Sequence, residues 1–63
     1  MNYDIDFNEL RKDLTDYYGT AAFSGYPAAI FDVSRVENAS YDELINEASK
    51  NNFDLDKYKN KLW

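Results

Sequence analysis

The chain combines a length of 63 residues with a complete lack of cysteine and histidine. A chain this short buries only about 60% of the surface that its unfolded form exposes, so burial barely offsets the conformational entropy lost on folding. Domains of this size commonly add disulfides, a structural metal or a partner subunit. Without cysteine, disulfides and cysteine-based zinc sites are excluded. We therefore expect residues 1–63 to form one domain, held together by good helices, by close packing or by a partner.

The first amphipathic run predicts a helix from Phe7 to Phe23 with Asp6 as its N-cap. Gly19 lies inside this run, where it costs about 1 kcal/mol relative to alanine and either ends the helix early or lets another backbone approach. The pair Ser24-Gly25 favours a stop, because glycine takes the left-handed C′ position without penalty. Residues 3–7 alternate apolar and acidic side chains, as in a short strand. We prefer an extended lead-in, because a lone strand finds no partner outside a dimer.

Three further helices complete an all-α bundle of three helices plus a short C-terminal helix. Pro27 is a suitable first residue for a helix that continues to Glu37, and the wide apolar surface of this segment indicates a central, buried helix. Ser40 and Glu43 form a capping box for the third helix, which ends at Asn51-Asn52, where Asn52 can take the left-handed conformation that glycine usually takes. Asp54 caps a last helix through Leu62. The buried face predicted for the third helix comprises Tyr41, Leu44, Ile45 and Ala48.

The formal net charge is −5, and it is unevenly spread. Residues 1–49 hold ten Asp and Glu against three Lys and Arg, a net of −7, whereas residues 50–63 hold two acids and four lysines, a net of +2. Such an acidic chain is poorly suited to nucleic acid, because phosphate contacts need cations. The acidic start does not resemble a signal peptide, and no apolar run reaches the ~18–20 residues of a membrane span. We expect a cytoplasmic protein that binds neither nucleic acid nor membrane.

Catalysis and metal binding are both disfavoured by the residues present. The chain lacks the histidine and cysteine that most often serve as general base and nucleophile. A bundle this small also forms no deep pocket that would raise the pKa of one carboxylate in a pair. The run Asp4-x-Asp6-x-Asn8 begins like an EF-hand loop, but Glu9 and Thr15 stand where that loop requires glycine and glutamate. We expect a protein that is not an enzyme and uses no metal or cofactor.

Two segments are candidates for binding a partner. Glu9, Asp13 and Asp16 recur at i, i+4 and i+7, which places an acidic stripe on the first helix. The stripe is either an ordinary solvated face or a docking surface for a basic protein. The second candidate is the segment from Tyr17 to Phe31, which carries no charge over 15 residues.

This uncharged segment mixes small residues with aromatic ones. It is either a tight corner between two helices or an exposed aromatic patch that docks a partner or a second copy of the chain. We expect self-association into a homodimer at high concentration, because so small a core cannot easily cover all this apolar surface. The partner-binding or self-associating residues predicted for this aromatic corner are Tyr17, Tyr18, Phe23 and Tyr26.

Two local resemblances accompany these patterns. Residues 39–55, which include Ser40-Tyr41-Asp42-Glu43 and Asn52-Phe53-Asp54-Leu55, resemble the second half of Nif11-type leader domains, where an acidic helix precedes a turn and another helix. The segment Asp16-Tyr17-Tyr18-Gly19-Thr20-Ala21 with Gly25-Tyr26-Pro27 is similar to small uncharacterised acidic proteins of low-GC Gram-positive bacteria and their mobile elements. Neither resemblance implies an activity.

The function predicted from these patterns is a small acidic protein–protein interaction or regulatory module. The alternative is an inhibitor encoded by a phage or mobile element, which would block a basic, nucleic-acid-binding surface of its target. Both hypotheses require a protein partner, and the alternative requires that partner to be basic.

Overall fold

The computed structural model describes residues 5–59, and helices make up 73% of them. The elements are α1 (Phe7–Phe23), α2 (Ala29–Glu37), α3 (Tyr41–Lys50) and a 3₁₀ helix (Leu55–Tyr58). In this part of the chain, β pairing is confined to one antiparallel bridge between Ile5 and Lys59. The predicted all-α class, three helices followed by a short helical segment, is confirmed.

Local signals set the ends of α1 and α3 where they were predicted. Asp6 accepts a hydrogen bond from the backbone N–H of Glu9 at 3.1 Å and so caps α1. At the start of α3, the Ser40 hydroxyl accepts from the N–H of Glu43 at 3.3 Å, and the Glu43 carboxylate accepts from the N–H of Ser40 at 2.7 Å. Asn52 follows α3 with a φ of 59°, the left-handed conformation predicted for it.

The second helix differs from its prediction in both start and environment. It begins at Ala29 because the chain around Pro27 forms turns, in which the N–H of Ala29 donates to the carbonyl of Tyr26 at 2.9 Å. The expected central, buried helix is wrong: within α2 only Ala29 and Val36 are buried. The helix packs along α1 on one side, and its remaining surface, including Phe31, faces outward.

Tyr41 and the last helix also differ from their predictions. Tyr41 is exposed, although it was assigned to the buried face of the third helix, and its ring stacks on Phe7 with 4.0 Å between ring centroids. The last helix is a 3₁₀ turn rather than a run through Leu62, because Lys59 is already extended where it pairs with Ile5. Leu62, like residues 3 and 4 of the alternating segment, lies outside the described residues.

The core lies toward one end of an elongated molecule, whose extents are 41 × 19 × 17 Å. Its fully buried large side chains are Leu10, Leu14, Val36 and Leu44. Among the described residues, no member of this core cluster lies between Gly19 and Arg35. The far end of α1, the following turn and the start of α2 therefore form a helical hairpin outside the main core.

The two glycines of the chain should respond oppositely to alanine. Gly25 has a φ of +107°, which strains any residue with a side chain, so Gly25→Ala should lower the free energy of unfolding by about 1 kcal/mol or more. Gly19 is helical, and a Cβ there would lie in open space. Gly19→Ala should therefore raise the free energy of unfolding by up to about 1 kcal/mol. Urea unfolding at low micromolar concentration measures both changes. Equal signs for the two variants would contradict this assignment.

Candidate docking surface

An exposed apolar surface covers the end of the α1–α2 hairpin. It consists of Phe23 at the end of α1, Tyr26 in the turn, and Ile30 and Phe31 in the first turn of α2, which together we call the apolar tip. Their exposed fractions are 96%, 66%, 54% and 77%, respectively. Exposing large apolar side chains forfeits the free energy that their burial would supply. A grouped set of them on a small protein is a feature of interaction sites.

The structure divides the predicted aromatic corner in two. Phe23 and Tyr26 belong to the apolar tip, whereas Tyr17 and Tyr18 lie earlier on α1 and face the C-terminal half of the molecule. Tyr17 packs edge-on against Phe53, with 5.6 Å between ring centroids, and the Tyr18 hydroxyl is bound by α3. Sequence reasoning placed Ile30 and Phe31 in a buried helix, although both belong to the uncharged segment that it singled out.

A shallow groove of about 690 Å³ runs between α1 and α2 beside the apolar tip. All of its lining residues come from α1, the residue that follows it and α2. Gly19 forms part of the groove wall, and it has no side chain. The position that a Cβ would occupy there is open space. The groove thus has a hollow at Gly19 and large apolar side chains nearby. Its lining includes Thr15, Gly19, Ala22, Phe23, Ile30 and Val33.

A polar network whose residues do not line the groove joins all three helices. Glu47 of α3 is buried, with 5% of its surface exposed, and its carboxylate accepts hydrogen bonds from Arg35 of α2 and from the Tyr18 hydroxyl of α1, the latter at 2.5 Å. Asn51 donates to the same hydroxyl at 2.8 Å, and Arg35 also donates to Asp32 at 2.5 Å. The network fixes how α3 sits against the hairpin.

The pKa values in this network follow from its partners. Burial raises the pKa of the Glu47 carboxyl, but the hydrogen bonds from Arg35 and Tyr18, with the charges of Arg35 and Lys50, outweigh burial and hold the pKa below its usual value. Burial first, and then the bond to Glu47, raises the pKa of Tyr18. Glu47 is therefore ionised and Tyr18 neutral near pH 7. Sequence reasoning missed Glu47, although it stands three residues after Leu44 on the inward stripe of α3.

The three residues of the acidic stripe have different surroundings. Glu9 is exposed, and Asp16 pairs with Lys12 at 3.6 Å on the surface. Asp13 is half-buried and accepts a 2.6 Å hydrogen bond from the hydroxyl of Tyr58. Burial of Tyr58, the bond to Asp13 and the nearby carboxylates raise the pKa of this phenol to about 12. Asp13 thus helps to hold the 3₁₀ helix against α1, and whether the stripe also binds a partner stays a prediction.

Within residues 5–59, no three acidic side chains come together as a metal site would require. The described helices are all too short and too polar to cross a membrane. The carboxylates of Asp6, Glu43 and Asp54 each accept a backbone N–H at a helix start. Of the six large apolar side chains that are exposed in the described chain, four belong to the apolar tip.

Comparison with known proteins gives no match to any family model, curated protein or solved structure.

Proposed function

We propose that this protein is a small protein–protein interaction module that acts by binding rather than by catalysis, and that it docks through the apolar tip. One observation carries the proposal: Phe23 is 96% exposed and is grouped with three more exposed apolar side chains, in a chain whose own core is small. The largest apolar patch of an ordinary monomer is often functional, and burying aromatic anchors supplies much of the energy of protein interfaces. The cytoplasmic location predicted from the sequence is kept as part of this proposal.

The remaining architecture suits a binding module. The polar network of Tyr18, Arg35 and Glu47 joins α3 to the hairpin, and none of these residues lines the groove or belongs to the apolar tip, so the hairpin is supported by a framework that does not use the tip. A rigid support keeps the entropic cost of docking low, because few groups need to be ordered on binding.

The acidic stripe supports the alternative function, an inhibitor of a basic, nucleic-acid-binding protein, less well. Asp13 accepts a hydrogen bond from Tyr58 and Asp16 pairs with Lys12, which leaves Glu9 as the residue of the stripe whose carboxylate has neither kind of partner among the described residues. The net charge of −5 still favours encounter with basic proteins. If this alternative holds, capture of the target should fall steeply between 0.1 M and 1 M salt, since the Debye length shrinks from about 10 Å to about 3 Å.

Affinity capture with matched variants tests the proposed function. The tagged chain, the double variant Phe23→Ser/Ile30→Ser and the control Tyr41→Ser are used as baits in an extract of the natural host, with self-capture scored as well. The control removes an exposed aromatic ring of α3, outside the apolar tip. We expect proteins retained by the wild type and the control to be lost by the double variant, because it removes two anchors.

Circular dichroism must first show that all three baits are folded. Capture of the same proteins by the double variant and the wild type would contradict a docking role for the apolar tip. Capture that is instead abolished by high salt and unaffected by the double variant would favour the acidic stripe.

A further inference from the structure

We propose that the groove between α1 and α2 binds the same groove of a second copy of this chain, forming a two-fold symmetric dimer. The inference rests on the proposed function, since it names the occupant of the apolar tip.

The groove contains both a hollow and projecting side chains, the two features that a self-complementary surface needs. Gly19 leaves a hollow that no side chain of the described residues fills, although glycine at a helical position costs stability. Phe23 and Ile30 project from the same groove. In a two-fold interface each contact between two different residues occurs twice, so the projecting side chains of one copy are available for the hollow of the other. The dimer would explain why glycine occupies position 19, since no close packing contact within the monomer requires it.

Charge also selects a second copy over a basic partner. The chain carries −5 overall, so two copies repel each other across most orientations. From Tyr17 to Phe31 there is no charged residue, and this segment supplies the apolar tip and much of the groove. Asp16, at the groove edge, is paired with Lys12 of its own helix. Two copies meeting here oppose few carboxylates, while a basic surface would find one charged residue in the groove lining, Asp16, which is already paired with Lys12.

The available area suits a weak dimer. Aromatic side chains bury about 150–250 Å² each, so the apolar tip presents on the order of 500 Å² per copy at the exposures found. Two copies would bury on the order of 1,000 Å², which is the lower limit for a specific interface. We therefore expect a dimer that dissociates in the high micromolar range, rather than an obligate one.

Sedimentation equilibrium from 10 µM to about 2 mM tests the inference in four chains of the full sequence. We expect the wild type to dimerise, and Phe23→Ser to weaken the dimer at least about tenfold because it removes a central anchor. Gly19→Gln should also weaken it about tenfold by filling the hollow, while raising the thermal midpoint of the dilute monomer, since glutamine is the better helix former. The matched control is Tyr41→Ser, which removes a 59% exposed ring of α3 that belongs to neither the groove nor the apolar tip, and it should change the dissociation constant by less than about threefold.

Three outcomes would overturn the inference. A wild type that stays monomeric at 2 mM excludes the dimer. The proposed function is then still supported if capture of another protein requires Phe23. An equal loss of dimer for Tyr41→Ser and Phe23→Ser places the contact outside the groove. If both dimerisation and capture are unchanged by Phe23→Ser, this inference and the proposed function fail together.

Discussion

Replacing Glu47 with alanine should lower the free energy of unfolding by about 2–3 kcal/mol, a large share of what a domain of this size possesses. The Glu47 carboxylate is almost completely buried and accepts hydrogen bonds from Arg35 and Tyr18. Without it, the partners that remain among the described residues are Asn51 for the Tyr18 hydroxyl and Asp32 for the Arg35 guanidinium. The expected loss lies below that of a fully buried pair, because Arg35 is about half exposed and solvent partly replaces its lost partner.

Urea unfolding at pH 7 and low micromolar concentration measures this loss, with two variants as controls. Lys50→Ala removes an exposed cation 3.7 Å from the same carboxylate and should cost less than about 0.5 kcal/mol. Glu47→Gln keeps the volume of the side chain and one acceptor oxygen, so its loss of stability should lie between those of Glu47→Ala and Lys50→Ala. A Glu47→Ala variant as stable as Lys50→Ala would mean that the network does not hold the helices together.

Alkaline pH should destabilise the fold through Tyr58. The pKa of this phenol is raised from 10.0 to about 12 in the folded chain, so between these values the unfolded chain loses the proton while the folded chain keeps it. Stability from this group is therefore fully present below pH 10 and is lost as the pH rises through 12. Two pKa units correspond to about 2–3 kcal/mol.

Urea midpoints at several pH values between 8 and 12 test this expectation in the wild type and in Tyr58→Phe. The phenylalanine variant should start about 1 kcal/mol less stable, because Asp13 loses its hydrogen bond. Its stability should then fall less steeply above pH 10, with a remaining slope from Tyr18, whose pKa is also raised. Parallel pH profiles for the two chains would show that Tyr58 is not the group responsible.

The sequence predicted the parts of this fold that are set by neighbours in the chain. The bounds of α1, the capping box of Ser40 and Glu43, and the left-handed Asn52 all depend on residues within about one helical turn. Such interactions can be identified in the sequence without knowing which helices pack together.

The same reasoning failed where burial depends on distant elements. The apolar composition of α2 predicted a central helix, but apolar residues are buried only where another element covers them, and Phe31 has none among the described residues. The sequence pattern also grouped four aromatic residues in one corner, whereas the structure divides them, because Tyr18 turns to α3 to reach Glu47, 29 residues away. The exposure that makes the apolar tip a candidate docking surface therefore came from packing.

The sequence by itself determined an all-α chain with defined caps, an uncharged aromatic segment and an acidic surface, because hydrogen-bonding capacity, periodicity and charge are properties of short stretches. Only the tertiary structure decided that Glu47 is buried beside Arg35, that Asp13 binds Tyr58 across 45 residues, and that the apolar tip stays exposed. These features depend on which surfaces meet when α3 and the 3₁₀ helix close on one part of α1 and leave the other uncovered. Periodicity shows which face of a helix is apolar, and the arrangement of the helices decides whether anything covers it.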